Sequence, residues 1–421
     1  MTTTTQNSWL KDKVFTYENG IVLLLGFTFG VVFFDRNAIG VLGAEIIRDL
    51  ELSNTQFGLL GSGLSLAWAL SAYLIGAWSD KRGVRKPFLL LSIVVFSLCS
   101  VFTGLAGTFM LLLLARVVMG LAEGPFLPVC LSIINEQSSP KRRGVNIGLV
   151  QTLFASLLGS VAAPLVLVWL AQQYGWRMTF FLTGIPGLIC AVLIWKFVRE
   201  PKAPTVQESG NNHGILANAL VMLKTRNILV CSLIAIFMVA WYLVSLIFLP
   251  VFFTAYRGFS AENMSYLMAA AGLATPIFGF LVPGLSDRFG RKPIMLIFTF
   301  IGLITAFTAL WFTGPLWIMA ILLFIGWSAS GSFPLFMGVI PGETMPRAMA
   351  ASAMGLVVGV GELLGGTLAP SLAGALADQT SLAAPVVIIG VCAFMGGVLS
   401  FFLVETAPSK LKHSIPPAPV N

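Results

Sequence analysis

Gly76-Ala77-Trp78-Ser79-Asp80-Lys81-Arg82-Gly83-Val84-Arg85-Lys86-Pro87 stands between two apolar runs. A near copy, Gly284-Leu285-Ser286-Asp287-Arg288-Phe289-Gly290-Arg291-Lys292-Pro293, returns in the second half of the chain. Each has an acid followed at once by a basic residue, a glycine three positions after the acid, and a basic pair before proline. The two acids are 207 residues apart in a chain of 421, so the period is about half the chain. Two copies at that spacing read as two halves built on one plan.

The surroundings of the two loops say what the plan is. Hydrophobic residues make up 57% of the chain, charged residues only 10%, and the mean hydropathy is +0.91. Soluble domains carry about a quarter charged residues. Six apolar runs precede the middle of the chain, at 20–44, 57–79, 87–107, 109–135, 144–170 and 177–198. Six follow it, at 227–253, 262–285, 293–313, 315–341, 347–376 and 382–404. Runs of about 20 residues match the length of a helix across a bilayer, not the ten-residue alternation of an outer-membrane barrel. The expected fold is therefore an all-α membrane protein, with twelve transmembrane helices in two pseudo-symmetric six-helix bundles. The expected organisation is a tail over 1–19, a bundle over 20–198, a linker over 199–226, a second bundle over 227–404 and a tail over 405–421. The linker holds Pro201, Pro204, Gly210, Asn211 and Asn212 and has no apolar periodicity.

The charge balance fixes an orientation. With both termini inside, the inside segments hold 20 of the 25 Lys and Arg, and the outside loops hold Arg48, Arg177 and Arg257. That bias places the tails in the cytoplasm. It also accounts for the net charge of +8 without a nucleic-acid partner. The short tails and loops suggest a bacterial inner membrane, and a monomer is expected. The five cysteines lie in apolar runs and offer no metal spacing, and the two histidines, His213 and His413, lie outside them. No nucleophile–base pair, metal cluster or cofactor loop is present, so neither an enzyme nor a cofactor is expected.

The paired loops resemble the loop signature of the major facilitator superfamily, G-x3-D-R/K-x-G-x-R/K-R/K. The first copy matches throughout, whereas the second has Pro283 where the first glycine belongs. The likeness spans nearly all of 20–405. It implies a transporter that works by alternating access, with Asp80, Arg85, Asp287 and Arg291 as a conformational latch against the facing bundle.

Five charged residues lie well inside the apolar runs: Asp35, Arg36, Arg116, Glu123 and Glu362. A charge at mid-bilayer is costly and should face a bundle interior or a water-filled cavity. Arg116 and Glu123 are seven residues apart, so they share one helix face, about 10 Å apart along the axis. A guanidinium cannot shed its proton, so it needs a counter-charge or an anionic ligand, whereas a carboxylate can neutralise itself by taking a proton. Two readings follow. The acids pair permanently with the arginines, or the arginines bind a substrate carboxylate and the acids carry protons. Phe33-Phe34-Asp35-Arg36-Asn37, with Arg116, Gly120, Glu123, Gly124 and Pro128, resembles the anion:cation symporter branch of the family, which includes bacterial sugar-acid transporters and sialin. The resemblance implies that Arg36 and Arg116 bind the anion and that Asp35 and Glu123 couple protons, the coupling ion being H+.

Glu362 departs from that pattern. It is placed here among the proton-coupling acids, with a cationic part of the substrate or Arg36 as its alternative partners. Tyr242 and Gln151 are further substrate-binding candidates, while Trp241, Ser245, Trp327, Ser328 and Ser330 are softer ones. The expected function is proton-coupled uptake of a small organic anion such as a sugar acid. A proton-coupled exporter of drugs or organic cations, with Glu362 as the cation ligand, is the alternative.

Overall fold

The computed structural model describes residues 17–139, 142–200 and 221–411, apart from the side chains of Tyr73, Gly76, Ala77, Asp80, Lys81, Arg347, Ala348, Ala351 and Leu411. The expected linker falls mostly on 201–220, outside the described residues, as do most of both tails. Among the described residues the chain is helical and contains no strand.

Among the described residues, ten helices are long and apolar enough to cross a membrane. One of them, Arg143–Phe197, has 55 residues. Straight, it would be about 80 Å long, far beyond a hydrocarbon core of about 30 Å. It is broken at Gly175, whose φ of +78° and ψ of +161° lie in a region that favours glycine. The segments on either side coincide with two of the expected runs. The 29-residue helix Asn54–Arg82 coincides with another. Each of the twelve expected runs therefore corresponds to one helical segment. These are α1 (Tyr17–Val41), α2 (Asn54–Arg82), α3 (Lys86–Leu105), α4 (Phe109–Gln137), α5 (143–174), α6 (176–197), α7 (Arg226–Tyr256), α8 (Ala261–Phe289), α9 (Arg291–Trp311), α10 (Leu316–Thr344), α11 (347–379) and α12 (Ala383–Ser400).

The outer surface carries Leu91, Met110, Leu114, Val192, Phe307 and many other large apolar side chains in the open. Water would penalise such a surface, but lipid does not. Trp78, Trp195, Trp311 and Trp317 are exposed near helix ends, where indoles anchor at the membrane interface. The five cysteines are buried and unpaired by disulfides.

α4 carries two of the charges, and its path is set by local chemistry. Thr108 caps its start, its side chain accepting from Leu111 N. A Leu-, Ala- and Met-rich stretch favours the helix, and the ladder is interrupted at Gly124-Pro125 because proline has no N–H to give. Gly120, midway between Arg116 and Glu123, is where α4 meets α2: a Cβ there would overlap the Leu64 carbonyl oxygen. Gly120→Leu is therefore expected to destabilise the protein by about 1–3 kcal/mol, the usual range for overpacking. It should lower the melting temperature of the purified protein, measured by scanning fluorimetry. An unchanged melt would mean that α2 and α4 separate easily.

The bundles meet most tightly toward the face opposite the basic loops. There Gly40 lies against the Leu246 carbonyl, Gly58 against Pro370, Gly374 against Asn54 and Gly272 against Ser160. Small residues permit this backbone approach. α5 and α8 run together farther toward the basic-loop face, where Gly148 meets Phe280 and Gly279 meets Thr152.

Candidate functional site

The buried charges of the first bundle converge on one site, where Arg36 and Arg116 face α7 of the second bundle. Asp35, Arg116 and Glu123 are buried; Arg36 is nearly so, with its side chain 12% exposed. Asp35 Oδ1 accepts from Ser100 Oγ (2.6 Å) and Thr183 Oγ1 (2.5 Å), so hydroxyls of α3 and α6 hold this α1 carboxylate. Its Oδ2 has no protein partner. Arg116 Nη2 donates to Thr103 Oγ1 (2.8 Å), and its guanidinium lies 5.6 Å from the Phe180 ring. Its Nε and Nη1 have no protein partner.

Arg36 is held by faces rather than by hydrogen bonds. Its guanidinium lies 5.7 Å from each of the Phe33 and Trp68 rings, within cation–π range. Glu123 Oε2 is 3.8 Å from Arg36 Nη1, and neither Glu123 oxygen accepts a hydrogen bond from the protein. A tight bidentate pair would sit nearer 2.8 Å. No tight acid–arginine pair forms in this state: Asp35 accepts from two hydroxyls through one oxygen, Arg116 donates to one threonine, and Arg36 is 3.8 Å from Glu123.

The second bundle faces this group with Glu362 and Tyr242. Glu362 stands in a π-helical turn, Gly361–Gly366, and its Oε2 is buried without a partner. Such turns occur often at functional sites. Arg36 acts electrostatically on Glu362, but no ion pair within 4 Å joins them among the described residues. Tyr242 lies near Ser160 of α5 and in the field of both Arg36 and Glu362.

Half of the twelve buried side-chain N and O atoms without a protein partner among the described residues belong to Asp35, Arg116, Glu123 and Glu362. Such atoms are costly to leave unpaired, and their concentration singles out this cluster. Arg36, Arg116, Asn37 and Ser65 line a cavity with Leu243, Leu246 and Ile247 of α7. Its volume is about 30 Å³, enough for one or two waters, so the bundles must move to admit a larger solute.

The other expected residues fall elsewhere. Gln151 is exposed on α5, and no hydrogen bond joins it to the cluster among the described residues. Trp241 is in the core of the second bundle, its ring tilted 53° to that of Trp327 at 5.5 Å, and Ser245 donates back to the Trp241 carbonyl. Ser328 likewise bonds within its own helix, and Ser330 bonds to Thr275 of α8.

The basic loops are organised within each bundle. Arg291 pairs with Asp287 (2.7 Å) and Glu343 (2.7 Å), all in the second bundle. Arg85 reaches Ser79 Oγ (3.4 Å), and the Asp80 side chain lies outside the described residues. Two acids that sequence reasoning passed over complete the pattern. Glu200 accepts from the backbone N–H of Arg85 and Lys86, and Glu405 accepts from that of Arg291 and Lys292. Each caps the start of the helix that follows a basic loop. Their spacing of 205 residues is within two of the 207-residue period, a signal present in the sequence.

Three comparisons bear on the family and the fold. The chain is 30% identical over 301 residues to the "Hexuronate transporter" of Bacillus subtilis (strain 168), covering 67% of this chain and 68% of that protein. It is 28% identical over 340 residues to the "Probable 4-methylmuconolactone transporter" of Cupriavidus pinatubonensis, covering 79% and 78%. In fold it is similar to a bacterial homolog of the human lysosomal transporter Spinster, solved in an inward-facing and unoccupied conformation. That match has a TM-score of 0.75 and 22% identity, and covers 96% of this chain and 100% of the other. The family model described as the Major Facilitator Superfamily matches residues 25–364 and 247–420. With a matching family model over most of its length and a helical architecture to fit, the chain belongs to the Major Facilitator Superfamily of membrane transporters.

Proposed function

We propose that this transporter carries a small organic anion, of the hexuronate or related carboxylate class, into the cell by proton symport, with both termini in the cytoplasm. The observation that carries the reading is the cluster of Arg36 and Arg116 with unmet hydrogen-bonding capacity beside acids that do not grip them. Arg116 offers Nε and Nη1, both buried and unpartnered, and Arg36 is only 3.8 Å from a single carboxylate. A planar carboxylate matches the guanidinium fork. The names of relatives that transport a hexuronate and a methylmuconolactone point to the same class.

The coupling follows from charge balance. With all five buried groups ionised the cluster carries −1, and an incoming anion makes it −2. Low-dielectric surroundings disfavour a stranded charge, so the loaded cavity closes once acids take up protons. Glu123 is the natural first acceptor, because the anion competes for Arg36, its loosely held partner. Asp35 and Glu362 are the further acceptors. The basic loops with Asp80, Arg85, Asp287 and Arg291 serve the rocking of one bundle against the other.

A thermal-shift screen of carboxylates against the purified protein tests the anion reading. A hexuronate at 100 times its Kd stabilises by about 2.7 kcal/mol, which reads as a melting temperature a few degrees higher. The corresponding uncharged amide should give no shift. Equal stabilisation by acid and amide, or by organic cations alone, would overturn the proposal.

A further inference from the structure

We infer that Asp378 is a latch that holds the two bundles together at the face opposite the basic loops, by capping the first turn of α2 from the other bundle. The inference rests on alternating access between two bundles and not on the choice of substrate or coupling ion.

The start of a helix leaves backbone N–H groups without acceptors. At α2, Ser53 and Gln56 form a local box. Ser53 Oγ accepts from Gln56 N (3.1 Å), and Gln56 Oε1 accepts from Ser53 N (2.9 Å). The N–H groups of Asn54 and Thr55 are served instead from α11. Asp378 Oδ1 accepts from Asn54 N and Nδ2, both at 2.8 Å. Asp378 Oδ2 accepts from Thr55 N (2.7 Å) and Thr55 Oγ1 (2.6 Å). One carboxylate thus takes four donors from a segment more than 320 residues away, at the positive end of a helix dipole. Nearer mid-membrane, Ser371 N donates to Ser62 Oγ (3.2 Å), and Gly58 and Gly374 let the two backbones touch. The carboxylate closes the end of a continuous α2–α11 seam.

The internal repeat shows that this is not simply how such helices start. Adding 207 to Ser53 and Asn54 gives Ser260 and Ala261, the cap and first residue of α8. There the cap is local, Ser260 Oγ accepting from Asn263 N (3.1 Å). Subtracting 207 from Asp378 gives Ala171, which has no acceptor to offer. Separating the bundles at this face therefore breaks four hydrogen bonds at α2, while the α8 cap travels intact with its own bundle. Among the described residues, the hydrogen bonds between the bundles at this level converge on that one seam. Asp378 biases the transporter toward the state closed at this face, and releasing it is part of opening there.

Spin labels on Gln173 and Thr380, exposed residues of the two bundles at this face, report the separation by double electron–electron resonance. The background is one in which the five native cysteines are replaced by serine. In Asp378→Ala the long-distance population is expected to rise several-fold over the parent, and in Thr55→Val by a smaller factor. Ser260→Ala should leave the distribution unchanged. If Asp378→Ala does not fold, Thr55→Val decides alone. Parent-like distributions in the folded clamp variants, with only a lower melting temperature, would show a structural cap and overturn the latch. A failure here leaves the anion reading untouched, because no substrate enters the measurement.

Discussion

Arg116→Ala is expected to abolish uptake of the organic anion. Arg116 is fully buried, holds one hydrogen bond to Thr103, and presents two further donors without a protein partner. Removing one partner from a buried charged group costs about 3–5 kcal/mol, which corresponds to roughly 10²–10⁴-fold in apparent affinity. Two losses combine: the anion loses a ligand, and Asp35 and Glu123 lose the positive charge that acts on both of them. Arg116→Lys should rescue little, since an ammonium cannot reproduce the planar fork or the packing on Phe180. The check is uptake of labelled hexuronate into vesicles, with folding confirmed by size-exclusion chromatography. An exporter of organic cations predicts the reverse, namely that Arg116→Ala spares transport.

Glu123→Gln should separate coupling from binding. The amide keeps the shape of the side chain and cannot take up a proton. Both Glu123 oxygens lack hydrogen bonds from the protein, and the nearest cation is 3.8 Å away, so the substitution breaks no short ion pair. Net accumulation against a gradient should fall to background, while exchange of external for internal substrate continues at a rate near that of the parent. Accumulation that persists in the variant would move the coupling site to Asp35 or Glu362.

Much of this was legible in the residues. The 207-residue repeat and the apolar runs predicted the helical architecture, and the scarcity of charge inside those runs picked out Asp35, Arg36, Arg116 and Glu123 before any geometry was available. The partners were not legible. Ser100 and Thr183, which hold Asp35, and Thr103, which holds Arg116, lie on other helices of the same bundle. Hydroxyls are common in membrane helices, so nothing local distinguishes these three. Gln151 is exposed in this state, with no hydrogen bond to the cluster among the described residues. Asp378 was passed over because it falls at a helix end, where an acid is ordinary. Its meaning depends on the other bundle being there.

The central claim is that the anion and the proton bind as one event in this cluster. By linkage, an anion that favours protonation must draw protons from solution when it binds. Purified protein in weakly buffered solution with a pH indicator reports this directly on addition of a hexuronate. The account predicts uptake of about one proton per anion bound if Glu362 rests neutral and about two if it rests ionised, by the need to avoid a stranded charge, with the Glu123 proton missing in Glu123→Gln. Binding of the anion, verified by its thermal shift, with no change in bound protons would contradict it.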